Sequence, residues 1–88
     1  MASYRLFIKP SAAKEIEALP KKERIRVIHR IQDLSEDPRP PGCEKLSGQD
    51  KYRVRQGQYR IVYSVSDKEL VICVVKIGHR KDVYRGGI

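Results

Sequence analysis

One segment of the chain, KYRVRQGQYRIVY, places four cations close together. Lys51, Arg53 and Arg55 alternate with aromatic or apolar residues, and Arg60 follows three positions after Gly57. This period of two around a glycine predicts a β-hairpin, in which alternate side chains project from the same face. Cations on one face attract an anion, and the planar guanidinium group suits phosphate because it donates two parallel hydrogen bonds. The segment therefore indicates a phosphate-binding site.

The turn of this hairpin allows two registers. A two-residue turn at Gln56–Gly57 pairs Arg60 with Arg53, and one at Gly57–Gln58 pairs Arg60 with Arg55. In both registers the three arginines share one face, opposite a face that carries Tyr52, Val54, Tyr59, Ile61 and Tyr63. Like charges directly opposite each other cost a few tenths to about 1 kcal/mol, so solvent or an anion must relieve them. The alternative is an outer sheet face whose cations keep the protein soluble and discourage edge pairing.

A second basic cluster, GHRKDVY, follows the apolar segment ELVICVVK. It contains His79, Arg80, Lys81 and Tyr84. A short turn before ELVICVVK predicts that this segment pairs with the strand of Arg60, which would bring Arg80 and Tyr84 close to Arg60. Two other interpretations stay open: His79 as a surface or capping residue, and Tyr84 as an aromatic that packs the end of the chain onto the sheet.

The elements before the hairpin are two predicted helices. A strand, YRLFI, is followed by Ser11, which we expect to cap the helix AAKEIEAL. Pro20 separates it from a second helix. This second helix has an apolar stripe and outward cations: Ile25, Val27, Ile28, Ile31 and Leu34 form the stripe, and Lys21, Lys22, Arg24, Arg26 and Arg30 face solvent.

The stretch EDPRPPGCEK ends the second helix, because prolines cannot continue it. Three strands are predicted after it, at about residues 51–55, 58–65 and 69–76. The last of them is apolar without alternation, which is typical of a central strand buried on both faces. The order β-α-α-β-β-β predicts one α+β domain over residues 1–88, with two N-terminal helices packed on a small, mainly antiparallel sheet.

Composition limits the partners and the location of the protein. The 88 residues carry a net charge of +8, which favours a polyanion or an acidic protein as partner. Cys43 and Cys73 are far apart and form no CxxC pair, so we expect reduced thiols in a cytoplasmic protein. With two histidines and two scattered cysteines, no metal and no cofactor is predicted. No segment has the length of a signal peptide or a membrane span, so no membrane partner is expected.

Three segments in this order and spacing resemble one family. KLSGQDKYRVRQGQYRIVY, the late GHRKDVY and the opening YRLFIKPSAAKEIEALP are similar to the RelE toxins of toxin–antitoxin systems, within the RelE/ParE superfamily. The resemblance covers nearly the whole chain. It implies two helices packed against an antiparallel sheet with a basic concave face.

The resemblance also implies an activity. RelE toxins enter the A site of the 70S ribosome and cut mRNA without a metal: the 2'-hydroxyl attacks the adjacent phosphate and leaves a 2',3'-cyclic phosphate. By position, it implies that Arg60, Arg80 and Tyr84 are catalytic. Tyr84 would accept the 2'-hydroxyl proton or stack on a base. The resemblance and the basic clusters together predict that the substrate is bound by Lys51, Arg53, Arg55, His79 and Lys81.

One departure from the family affects the proton transfers. Arg53 and Arg55 stand where a well-known member has lysines, and an arginine stays protonated at any working pH. The general acid is therefore open between Arg80, His79 and a group of the substrate or ribosome. No carboxylate is expected in the cluster.

The implied partners are a cognate antitoxin, mRNA on the ribosome and ribosomal RNA. Lys22, Arg26 and Arg30 could meet the antitoxin or the RNA, or form an ordinary solvated helix face. Two alternative functions remain. The ParE branch of the superfamily inhibits DNA gyrase, and a non-catalytic relative would bind nucleic acid in a salt-sensitive way without cutting it.

Overall fold

Two helices pack on one face of a five-stranded sheet in a computed structural model that describes residues 3–46 and 50–79. The elements are β1 (Arg5–Ile8), α1 (Pro10–Glu17), α2 (Lys21–Leu34), β2 (Glu44–Lys45), β3 (Lys51–Gln56), β4 (Tyr59–Ser66) and β5 (Val71–His79). The predicted α+β class and the two helices on a mainly antiparallel sheet are confirmed. The short strand β2 is an addition that the sequence pattern did not predict.

The strands lie in the order β1-β5-β4-β3-β2. All neighbours are antiparallel except β1 and β5, which run parallel. The first and last of the described strands are therefore adjacent, and β5 lies between β1 and β4, as its apolar sequence predicted. In the described part of the chain no helix is long and apolar enough to cross a membrane.

A β-bulge in β5 explains why its sequence does not alternate. The register between β4 and β5 shifts by one residue, and Val75 has no partner on β4. Ile72 and Val74 before the bulge and Ile77 after it are all buried in the core. The extra residue reverses the facing of later side chains, so positions of different parity reach the same core.

The predicted apolar stripe of α2 is wrong in part. Val27, Ile31 and Leu34 are buried, but Ile25 and Ile28 are 47 % and 37 % exposed. At about 100° per residue, Ile25 lies roughly 160° around the helix from Val27, so one packed face cannot cover both. The sheet and α1 cover only the narrower i, i+4, i+7 stripe.

Helix α1 begins two residues earlier than predicted, at Pro10 instead of Ala12. Pro10 occupies its first turn and the N-cap is Lys9, without a side-chain capping hydrogen bond, so the capping role predicted for Ser11 is wrong. Proline is favourable at the first helical position because its missing N–H would have no partner there. The predicted inner face is confirmed, since Ala12 and Ile16 are buried and Leu19 packs against the core.

Glu15 joins α1 to the part of β5 that extends beyond β1. Its two carboxylate oxygens accept hydrogen bonds from the backbone N–H of Ile77, at 2.9 Å, and from Lys76 Nζ, at 3.0 Å. An unpaired strand N–H buried beside a helix would be costly. Glu15 therefore satisfies the edge of β5 where no strand neighbour remains.

The proline-rich connection after α2 is anchored to the sheet at two points. The Tyr63 hydroxyl donates a hydrogen bond to the carbonyl oxygen of Pro38, at 2.7 Å. Burial, and then the neighbouring Cys43, raise the pKa of the Tyr63 phenol, so Tyr63 remains a neutral donor. Next to it, Arg39 donates two hydrogen bonds to the Asp67 carboxylate, at 2.6 and 3.2 Å. These contacts hold the connection against the sheet as it leads into β2.

Candidate functional site: an arginine-lined cavity

The hairpin of β3 and β4 has the second of the two predicted registers. Arg55 pairs with Arg60, and Arg53 pairs with Val62. Gly57 has a φ of +61°, the sign that the first central position of a type II′ turn requires. Directly paired residues project from the same face, so the expectation that the three arginines share a face is confirmed.

The three arginines contribute to a cavity of about 500 Å³. Arg30 of α2 and Glu44 of β2 line it as well, and Pro41 and Gly42 of the proline-rich connection complete the wall. We call this site the arginine cavity and define it by Arg30, Arg53, Arg55, Arg60 and Glu44. Among the residues that the structure describes, this lining has four guanidinium groups and one carboxylate, and therefore a net positive charge.

Arg60 lies deepest in the sheet. It is 5 % exposed and is the one charged residue classed as buried in the described part of the chain. Removing a charge from water is costly, so a buried arginine on a central strand is unusual. The same loss of hydration strengthens its interaction with an anion, because the local dielectric constant is lower than that of water.

Glu44 overturns the expectation that no carboxylate belongs to the cluster. Strand β2 pairs Glu44 with Arg53, and Glu44 Oε1 lies 2.9 Å from Arg53 Nη2. The Glu44 side chain is 65 % exposed, so the ion pair itself adds little stability. A two-residue strand has no periodic pattern of its own, so the sequence offered no signal for this contact.

Arg30 was also misplaced by the sequence pattern. It was expected to face solvent, but it is half-buried and lines the cavity beside the sheet arginines. Arg30 precedes the buried Ile31, and α2 packs against β3. The rotation of α2 that buries Ile31 thus brings its neighbour to the edge of β3, where the two-residue β2 leaves room.

The charge and shape of this cavity can be set beside known proteins. The sequence profile of the family described as "ParE toxin of type II toxin-antitoxin system, parDE" matches residues 6–84. The chain belongs to the RelE/ParE toxin superfamily. The resemblance inferred from the basic segments is confirmed.

Individual relatives agree with this assignment. The toxin RelG of Mycobacterium tuberculosis is 27 % identical over 86 residues, which cover 93 % of this chain and 97 % of RelG. The archaeal RelE of the RelE–RelB complex from Pyrococcus horikoshii OT3 superimposes with a TM-score of 0.81 at 34 % identity, covering 89 % of this chain and 96 % of that one. The isolated Escherichia coli RelE toxin superimposes with a TM-score of 0.77 at 30 % identity, and the match covers 97 % of this chain and 95 % of that one.

Two of the substrate-binding residues predicted for this RelE-like chain lie away from the cavity wall. Lys51 pairs with Ser64 and shares the face of the arginines, but it does not line the cavity. His79 pairs with Tyr59, which projects from the opposite face. Its ring packs edge-on against Tyr59, with 5.8 Å between ring centroids, and Nε2 lies 3.1 Å from Oε1 of Gln58. This placement does not support contact between His79 and a ligand of the cavity.

The remaining predicted residues, Arg80, Lys81 and Tyr84, lie outside the described residues. Their roles stay predictions from the resemblance. Within residues 3–46 and 50–79, no group of three or more histidine, cysteine or carboxylate side chains is arranged to hold a metal ion.

Proposed function

We propose that this toxin is a ribosome-dependent endoribonuclease that cuts mRNA in the A site and acts in the cytoplasm. The observation that carries the proposal is the arginine cavity, which Arg53, Arg55 and the buried Arg60 line from two adjacent strands. A cleavage reaction that builds negative charge on a phosphate gains most from cations that are already in place.

The proposed reaction is an intramolecular transesterification. The 2'-oxygen of the RNA attacks the adjacent phosphorus, and the bond from phosphorus to the 5'-oxygen breaks. The 2'-hydroxyl loses a proton, the departing 5'-oxygen gains one, and the products are a 2',3'-cyclic phosphate and a 5'-hydroxyl. Arg53, Arg55 and Arg60 would stabilise the negative charge that develops on the phosphate oxygens.

Glu44 can accept the 2'-hydroxyl proton, which the arginines cannot do. Arginine is always protonated, so Arg53 and Arg55 cannot take the 2'-hydroxyl proton. Glu44 is the carboxylate on the described wall of the cavity, and its contact with Arg53 holds one oxygen beside the phosphate-binding groups. We assign Glu44 the role of general base in this proposal. Tyr84 then stacks on a base of the substrate, and Arg80 is retained as a catalytic residue by the resemblance.

A primer-extension assay on mRNA in a translating extract tests the activity, with and without ribosomes. We expect new 5' ends that require ribosomes and that disappear with Arg80→Ala. Arg55→Lys should retain more cleavage than Arg55→Ala, because it keeps the charge and loses only the paired hydrogen bonds. Arg26→Ala is the matched control, since Arg26 is exposed on α2 and pairs with Glu23.

Other outcomes would favour the alternatives. Intact mRNA together with inhibition of DNA supercoiling by gyrase would indicate the ParE function. RNA binding without cleavage would indicate a non-catalytic protein. The RelE relatives found by sequence and by structure favour the nuclease over the gyrase inhibitor.

We also propose a cognate antitoxin as the partner of this toxin. The similar toxins from Pyrococcus horikoshii and Escherichia coli were solved in complexes with RelB. Ile25 and Ile28 form exposed apolar positions on α2 that an antitoxin segment would cover. Ile25→Glu should weaken copurification with the antitoxin while cleavage by the free toxin is retained, and unchanged copurification would move the interface elsewhere.

A further inference from the structure

Helix α2 contributes a fourth guanidinium group to a site that the superfamily resemblance placed on the sheet and the end of the chain. Arg30 is half-buried and lines the arginine cavity from α2. Its Nε atom is buried and makes no hydrogen bond within the described part of the chain. A buried donor without an acceptor costs free energy, so an acceptor from outside would relieve this position.

Arg30 and Arg26 of α2 differ in whether a carboxylate lies beside them. Arg26, one turn earlier, is exposed and lies 3.7 Å from the Glu23 carboxylate. For Arg30, no carboxylate of the described residues lies within ion-pair distance. Arg30 instead lines the same cavity as Arg53 and Arg55. Arg30 thus adds a positive charge to a lining that already contains three arginines, which favours the entry of an anion.

The size of the cavity indicates what that anion is attached to. A volume of about 500 Å³ is within the range of sites that enclose a small organic ligand, which is roughly 300 to 1,000 Å³. The cavity therefore has room for part of a nucleotide as well as its phosphate. The sheet arginines line the cavity from β3 and β4, and Arg30 lines it from α2, so two different elements can hold the strand.

We propose that Arg30 is a positioning residue that binds an RNA phosphate next to the scissile one, so that the RNA strand bridges α2 and the sheet. The identity of the ligand rests on the proposed function. The scissile phosphate lies with Arg53, Arg55 and Arg60, and Arg30 fixes the neighbouring backbone. Such a contact is made equally in the ground state and the transition state, so its loss raises KM and leaves kcat nearly unchanged.

Equilibrium binding of a fluorescent single-stranded oligonucleotide tests this without requiring cleavage. The probe carries 2'-deoxyriboses and is titrated at several salt concentrations with the wild-type protein, Arg30→Ala, Arg30→Lys and Arg26→Ala. Each phosphate contact contributes about 0.7 to the slope of log K against log salt for single strands. We expect Arg30→Ala to weaken binding about tenfold and to reduce the slope by about 0.7, Arg30→Lys to keep the slope, and Arg26→Ala to change affinity less than twofold.

Equal losses for Arg30→Ala and Arg26→Ala would overturn the inference, because Arg30 would then contribute only to the general positive field. Failure of the wild-type protein to bind the probe would also overturn it. Thermal melting of each variant separates loss of binding from loss of fold, and Arg30→Lys keeps the test valid if Arg30→Ala unfolds. If the slope changes as expected but ribosomal mRNA stays intact, the proposed nuclease function fails while the phosphate contact of Arg30 stands.

Discussion

Two regions of the molecule place arginines next to β3, and they differ in how the charge is balanced. In the first region, Arg39 donates two hydrogen bonds to Asp67 and one to the Tyr52 hydroxyl. The guanidinium group of Arg39 also lies 5.2 Å from the centre of the Tyr52 ring. The Tyr4 hydroxyl adds a hydrogen bond to Asp67, at 2.7 Å. We call this the Arg39 network. Among the described residues, the lining of the arginine cavity contains four guanidinium groups and one carboxylate, that of Glu44, which pairs with Arg53.

The difference shows what decides the role of an arginine in this small protein. In the Arg39 network the protein supplies the anion, and Arg39 and then Tyr4 hold the pKa of Asp67 below its usual value. Asp67, and then Tyr52, raise the pKa of Arg39. This arginine holds the proline-rich connection in place. In the described lining of the cavity, arginines outnumber carboxylates, and this net positive charge suits an anion from outside.

The largest difference in cleavage rate is expected between the variants Arg60→Ala and Arg39→Ala. Removing a preorganised donor from the transition state typically lowers the rate by 10² to 10³-fold, so Arg60→Ala should reduce cleavage by about that factor. Arg39→Ala should leave cleavage unchanged and lower the melting temperature, because its partners are structural. Primer extension and thermal melting measure the two effects. Equal loss of cleavage in both variants would remove the distinction between the two regions.

Glu44→Gln tests the one carboxylate of the cavity. The amide keeps a hydrogen-bond acceptor near Arg53 but cannot take up a proton, so single-turnover cleavage on programmed ribosomes should fall by about 10²-fold. Glu36, which is exposed after α2, gives the matched control Glu36→Gln. A full rate for Glu44→Gln would assign the base elsewhere.

Tyr63→Phe tests the anchor of the proline-rich connection. It removes the hydroxyl that donates to the Pro38 carbonyl oxygen and leaves the buried ring in place. We expect a loss of about 1 kcal/mol in the free energy of unfolding, measured by urea denaturation. Cleavage at a temperature well below melting should be retained. A large loss of cleavage without loss of stability would show that the anchor shapes the cavity wall.

The smallest expected effect is a change in how the stability of the fold depends on pH when the Arg39 network is altered. The folded-state pKa of Asp67 is lowered, so its stabilising contribution is present above the unfolded carboxyl pKa of about 3.9 and is lost as the pH falls through the lower folded value. Asp67→Asn should therefore flatten the acid side of the stability profile, measured by melting in a pH series. An unchanged acid slope would mean that other carboxylates dominate it.

Several features of this protein follow from local sequence patterns alone. Period-two alternation places Arg53, Arg55 and Arg60 on one face in either register, because successive strand residues always point to opposite sides. The prolines after α2 end the helix for a steric reason that no tertiary contact changes. The spacing of Ala12 and Ile16 is enough to identify the buried face of α1.

Other features depend on contacts between distant segments, and only the tertiary structure decided them. Arg30 enters the cavity because the burial of Ile31 sets the rotation of α2, and Glu44 enters because a two-residue strand happens to pair with β3. His79 turns to the other face because β5 pairs it with Tyr59. Helical and strand periods fix the relative directions of neighbouring side chains, but the packing of one element on another fixes which direction faces the site.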